Sequence, residues 1–145
     1  MTNIKSCMTD HHRRCDNFFS DAEQAVAAEA WDRAIEAFKN FSDAVDQHFE
    51  AEENLIFPAF ETKSGMSMGP TQVMRDEHTQ MRELMSAARE ALAAKDADDY
   101  SGNAETLLIM MQQHNMKEEN VLYPMCDDHL AGQITTFLPQ LRLKL

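Results

Sequence analysis

Two stretches of the chain are near copies of each other. Residues 48–58 read HFEAEENLIFP and residues 114–124 read HNMKEENVLYP, an offset of 66. The same offset carries Asp10 onto Asp76, His12 onto His78, Gln47 onto Gln113, and the run AVAA (25–28) onto ALAA (91–94). The matching residues are His, Glu, Asn and Pro, so a bias toward Ala does not explain them. The chain is a tandem repeat of one unit, covering about 9–60 and 71–126 of a single domain, 1–145.

Each unit reads as a helical hairpin. Met8, His12, Cys15, Phe19, Ala22 and Val26 recur at the spacing of one helix face, which predicts a helix from about Thr9 to Ala28. Phe38, Phe41, Val45, His48, Glu52 and Leu55 form the stripe of a second, from about Asp32 to Phe60. The segment ETKSGMSMGPT (61–71) holds the loop between units. Met74, His78, Met81, Met85 and Leu92 mark a third helix starting near Pro70. Leu107, Met111, His114, Glu118 and Val121 mark a fourth, starting near Asp98 to Ser101. The tail from His129 to Leu145 has room for one more short helix. The expected fold is all-α, an up-down-up-down four-helix bundle. Pro58 and Pro124 each remove a hydrogen bond to the carbonyl four residues back, so a kink or helix end is expected there.

Charge narrows the function. The formal net charge is -12, and no basic cluster offers a nucleic-acid patch. An anionic membrane surface would repel the chain, and no apolar run approaches a membrane span. The first residues hold no apolar segment of a secretory signal. Cys7, Cys15 and Cys126 are spaced irregularly, which suits reduced thiols in a cytoplasm and makes no zinc site.

The chemistry lies on the apolar faces. His12, His48, His78 and His114, with Glu52 and Glu118, fall on the inward stripes of four helices. His and Glu at i, i+4 share a face. Burying two carboxylates without partners costs several kcal/mol each, a cost that disappears if they are metal ligands. Four imidazoles and two bridging carboxylates can hold two metal ions and leave positions open for water or a small ligand. Fe, Zn, Mn and Cu all suit such donors, and a bundle core with two carboxylates favours iron. Neutral imidazoles favour Fe(II), and so reversible binding of O2 or NO. A metal-free polar core is the structural alternative.

The pattern His12 … His48-x-x-x-Glu52 … His78 … His114-x-x-x-Glu118 resembles the hemerythrin-like (HHE cation-binding) family, over about residues 9–126. The resemblance implies a non-haem di-iron centre, oxo- or hydroxo-bridged. His12 and His48 would bind one iron, His78 and His114 the other, with Glu52 and Glu118 bridging. Oxygen-carrying members have a fifth His where this chain has Arg82, and end in His-x-x-x-x-Asp where this chain has His114-x-x-x-Glu118. Other members with this ligand set act in nitric-oxide stress or decompose peroxide. Binding or sensing of O2 or NO, handling of iron, and peroxide or nitric-oxide oxidoreduction all follow as expectations, with the small ligand as the partner.

His11 lies about 100° from His12 on the helix wheel and is expected at the surface. His129 is expected to be exposed. Glu53 and Glu119 lie about 140° from their His and are expected behind the ligands or at the rim. Tyr123 aligns with Phe57 and reads as a core aromatic, and Cys15 as an inert buried thiol. Asp16 and Arg82 are related by the same offset. They pair across the bundle, snorkel to solvent, or put Asp16 on the metal of His12.

Overall fold

The computed structural model describes residues 2–145, and among them every regular element is a helix. The first is α1 (Ile4–Ala27), followed by α2 (Trp31–Ala51). α2 runs through a π turn (Glu52–Ile56) into α3 (Phe57–Ser64). The second unit repeats this with α4 (Pro70–Ala93), α5 (Ala97–Lys117), a π turn (Glu118–Leu122) and α6 (Tyr123–His129). A short 3-10 turn (Ala131–Gln133) leads into α7 (Ile134–Lys144), the helix for which the tail had room.

Local chemistry sets the ends. α1 begins five residues before the expected Thr9 because Asn3 and Ser6 form a reciprocal cap. Asn3 Oδ1 accepts from Ser6 N at 2.8 Å and Ser6 Oγ accepts from Asn3 N at 2.9 Å. Asp96 caps α5 by accepting from Asp99 N at 3.0 Å. The turn between the helices of each unit is the same turn. Glu29 and Lys95, 66 apart, both take φ 55, a left-handed conformation that L side chains rarely adopt. Ala30 N and Asp96 N then close back to Ala25 O and Ala91 O, both at 2.9 Å.

Two tight turns therefore give two helical hairpins, α1 on α2 and α4 on α5. They join chiefly through α2 against α4 and α1 against α6. Packing separates into two apolar clusters. One gathers Phe19, Phe38, Phe41, Met85, Leu92 and Tyr100; the other gathers Ile4, Phe57, Phe60, Leu122, Leu130 and Leu141. Between them, at the same level on all four long helical runs, lies a layer of buried His and Glu.

The prolines do not end their helices. Pro58 and Pro124 each stand just after a π turn, in which Phe57 N reaches Glu52 O and Tyr123 N reaches Glu118 O. The wider turn accommodates residues that cannot donate, and the chain stays helical. It also shifts the buried stripe by one residue. Leu55 is only half-buried and Val121 is 53% exposed, while Ile56 and Leu122 fill the core instead. No described helix is long and apolar enough to cross a membrane.

Candidate metal centre

His12, His48, Glu52, His78, His114 and Glu118 are all buried, and they converge on that layer. α1 supplies His12 and α4 supplies His78. The last turns of α2 and α5, with the π turns that follow, supply the two His-Glu pairs. Glu52 Oε1 lies 3.1 Å from His78 Nε2, and Glu118 Oε1 lies 3.2 Å from His12 Nε2 and 3.3 Å from His114 Nε2. His48 Nε2 is 3.5 Å from Glu52 Oε2 and 4.0 Å from Glu118 Oε1. All four imidazoles thus turn Nε2 inward and Nδ1 outward.

Each outward Nδ1 has a partner. His12 donates to Glu119 Oε2 at 2.7 Å, His78 to Glu53 Oε2 at 2.6 Å, and His114 to Glu77 Oε1 at 2.8 Å. His48 Nδ1 meets His11 Nδ1 at 2.8 Å. Glu53 is also forked by Arg82 at 3.0 and 3.2 Å, and Glu77 is paired with Lys117. A carboxylate behind an imidazole fixes its tautomer and raises its basicity toward a cation.

The electrostatics follow these partners. Burial opposes charge on every ring. The nearby carboxylate of Glu52 and the hydrogen bond to Glu53 nevertheless raise His78, and Glu118 and Glu119 raise His12. The charge of Glu118 and the bond to Glu77 hold His114 up to about 9. Of these four rings only His48 is lowered, chiefly by its burial. Burial also works against charge on Glu52, but His48 beside it, with Glu118 and His78 close by, holds its carboxyl well below the usual range.

Two expectations need correction. His11 is not at the surface; it is buried and stacks on His48 with ring centroids 5.0 Å apart. The 100° that separates it from His12 turns it toward α2, which covers that side of α1. The legible signal was the offset, because His11 superposes on Glu77. Tyr123 is not merely a core aromatic. Its hydroxyl lies 2.6 Å from Glu52 Oε2, 2.9 Å from Glu118 Oε1, 3.1 Å from His48 Nε2 and 3.3 Å from His12 Nε2. In an α-helix Glu118 and Tyr123 would point about 140° apart; the π turn brings them to one side. Burial, with Glu118 and Glu52 alongside, pushes the phenol pKa well up, so the hydroxyl keeps its proton.

The Asp16–Arg82 pair does not form. Arg82 turns to Glu53, and Asp16 is exposed. Glu53 and Glu119 stand behind the imidazoles of His78 and His12, as expected, and His129 is exposed. Cys15 is buried 3.8 Å from His11 Nδ1, and burial pushes its thiol up to about 12. It borders a small hollow of about 10 Å³ with Val45 and Met111, against His12 and His48, room on the scale of one water.

Metal-donor atoms fall within 4.8 Å of one another in two groups: Glu52, His78, His114 and Glu118; and His12, His48 and Glu118. Glu52 Oε1, Glu118 Oε2, His78 Nε2 and His114 Nε2 are buried without a hydrogen-bond partner. A buried polar atom left unpaired costs about 1–3 kcal/mol, and four side by side are what cation ligands look like without the cation. The donors fit metal ions. A family model for the hemerythrin HHE cation binding domain matches residues 4–126. No curated protein and no solved structure matches the chain. Sequence pattern, helical frame and buried donors agree, and the chain belongs to the hemerythrin HHE cation-binding family.

Proposed function

We propose that this chain is a non-haem di-iron protein that binds or senses a small ligand such as O2 or NO, or handles iron. Its frame is an up-down-up-down four-helix bundle, and its place is the cytoplasm, where its three free cysteines stay reduced. His12 and His48 hold one ion, His78 and His114 the other, and Glu52 and Glu118 bridge. The reading is carried by one observation: four inward Nε2 atoms surround two buried carboxylates, and four of the atoms have no partner. Iron there would supply open coordination positions and a one-electron redox change. The chain's own contribution is to fix three of the four tautomers with carboxylates, exclude bulk water, and hold one proton on Tyr123 Oη between Glu52 and Glu118.

That hydroxyl favours a second reading, a di-iron oxidoreductase acting on peroxide or nitric oxide, because a small oxygen-containing ligand at the centre would find a fixed hydrogen-bond donor beside it. A metal-free structural bundle would keep four unpaired polar atoms in its core for no return. Protein expressed with ample iron is expected to hold about two irons per chain, and His48→Ala and His114→Ala to hold fewer. Folded protein that takes up no iron would overturn the proposal. Oxygen release on adding peroxide separates the second reading from the first.

A further inference from the structure

The offset that superposes the ligands also superposes the groups behind them, and there the halves part. Glu77 matches His11, Lys117 matches Ala51, and Arg82 matches Asp16. A carboxylate can only accept, so in their neutral forms His12, His78 and His114 each keep their proton on Nδ1 and leave Nε2 for a cation. Behind His48 stands a second imidazole, Nδ1 to Nδ1 at 2.8 Å, a distance that two neutral rings bridge with one proton. If His11 owns it, neutral His48 carries its own proton on Nε2 and has no lone pair for a cation. If His48 owns it, Nε2 is free, but neutral His11 then carries its proton on Nε2. That atom is buried with no partner. A cation on His48 therefore leaves a buried N–H unpaired, an arrangement proteins rarely tolerate. A second, independent observation points the same way. Tyr123 Oη occupies Glu52 Oε2 at 2.6 Å, so the free oxygen of Glu52 is Oε1, the one beside His78.

We propose that the two cation positions are unequal: a divalent cation fills the His78–His114 position first, and the His12–His48 position binds more weakly because His11 backs His48. This rests on the metal-centre reading above.

Metal-free protein titrated with Co(II), followed by calorimetry and by the visible absorption of the ion, tests it. Two steps are expected, the second at least about tenfold weaker, the scale on which partners behind a ligand act. His114→Ala should abolish the tight step and His48→Ala should spare it. His11→Glu, which restores a pure acceptor, should strengthen the second step about tenfold or more and leave the first unchanged. His11→Gln, which accepts through its amide oxygen without adding charge, should act in the same direction if His11→Glu fails to fold. Two equal steps in the native chain, or a second step unmoved by either His11 variant, would overturn the inference while leaving the metal centre standing. No Co(II) binding at all would remove the metal-centre reading, and the inference with it.

Discussion

The two π turns use one device for different ends. Glu52–Ile56 and Glu118–Leu122 share the opening Glu-Glu-Asn and are each followed by an aromatic residue and a proline. In the first unit the aromatic is Phe57, whose ring packs under His78 at 5.9 Å and under the Arg75 guanidinium at 5.4 Å. In the second it is Tyr123, whose hydroxyl touches both carboxylates. One oxygen atom separates a packing residue from a group at the centre. The repeat is thus a scaffold that keeps its backbone and its buried His and Glu, while single side chains make the halves chemically distinct.

Removing one residue from either π turn should produce the largest effect. Deleting exposed Asn54 or Asn120 turns the wider turn into α geometry, which keeps Ile56 or Leu122 on the buried stripe but sets the ring of Pro58 or Pro124 against the carbonyl four residues back in the shortened chain. A proline inside an α-helix costs about 3 kcal/mol or more. Thermal melts should show both deletions strongly destabilised. If either folds with native stability, the π turn is not what accommodates its proline.

Tyr123→Phe should act on a smaller scale and only on one side of the comparison. Without its hydroxyl, the metal-free protein holds Glu52 and Glu118 face to face without the shared donor, at a cost of about 1–3 kcal/mol. Phe57 already lacks that atom, so urea melts of Tyr123→Phe should show a loss that has no counterpart in the first unit. A neutral result would make the two aromatics equivalent.

The smallest expected effect concerns Arg82 and Asp16. Burial opposes charge on Glu53, but hydrogen bonds from His78 and Arg82 lower it to about 2 from an ordinary 4.5. A carboxylate so depressed contributes stability above about pH 4.5, and that contribution is lost as the pH falls through about 2. Arg82→Ala should cost about 1 kcal/mol at neutral pH, since the pair is part-exposed, and acid unfolding should begin at higher pH. Asp16→Ala should change stability by less than about 0.5 kcal/mol. Equal effects from the two variants would mean that the halves are balanced electrostatically.

Much of this was legible in the residues. The offset of 66 gave two hairpins, and helical spacing put His12, His48, Glu52, His78, His114 and Glu118 on inward faces, where all six are buried. What escaped depended on breaks in that spacing. Proline chemistry marked where α geometry stops, but not that a wider turn would absorb it, so Leu55 and Val121 were placed on stripes that Ile56 and Leu122 fill. Tyr123 was missed for the same reason. His11 was missed because a wheel separates buried from exposed faces only when a helix has one neighbour, and α1 packs on α2 and α6. Arg82 was legible as a group near the centre, but its partner Glu53 comes from the turn beyond α2, which no pattern within one helix shows.

The polar layer sits between two apolar clusters, one toward each end of the bundle. Side chains of the two clusters thereby close the layer from both ends of the bundle. Beside His12 and His48, the hollow with Cys15, Val45 and Met111 has one further polar neighbour, Asn115. A neutral molecule of water's size would enter such a space as it is, while an ion would have to shed water for which the hollow offers few replacements.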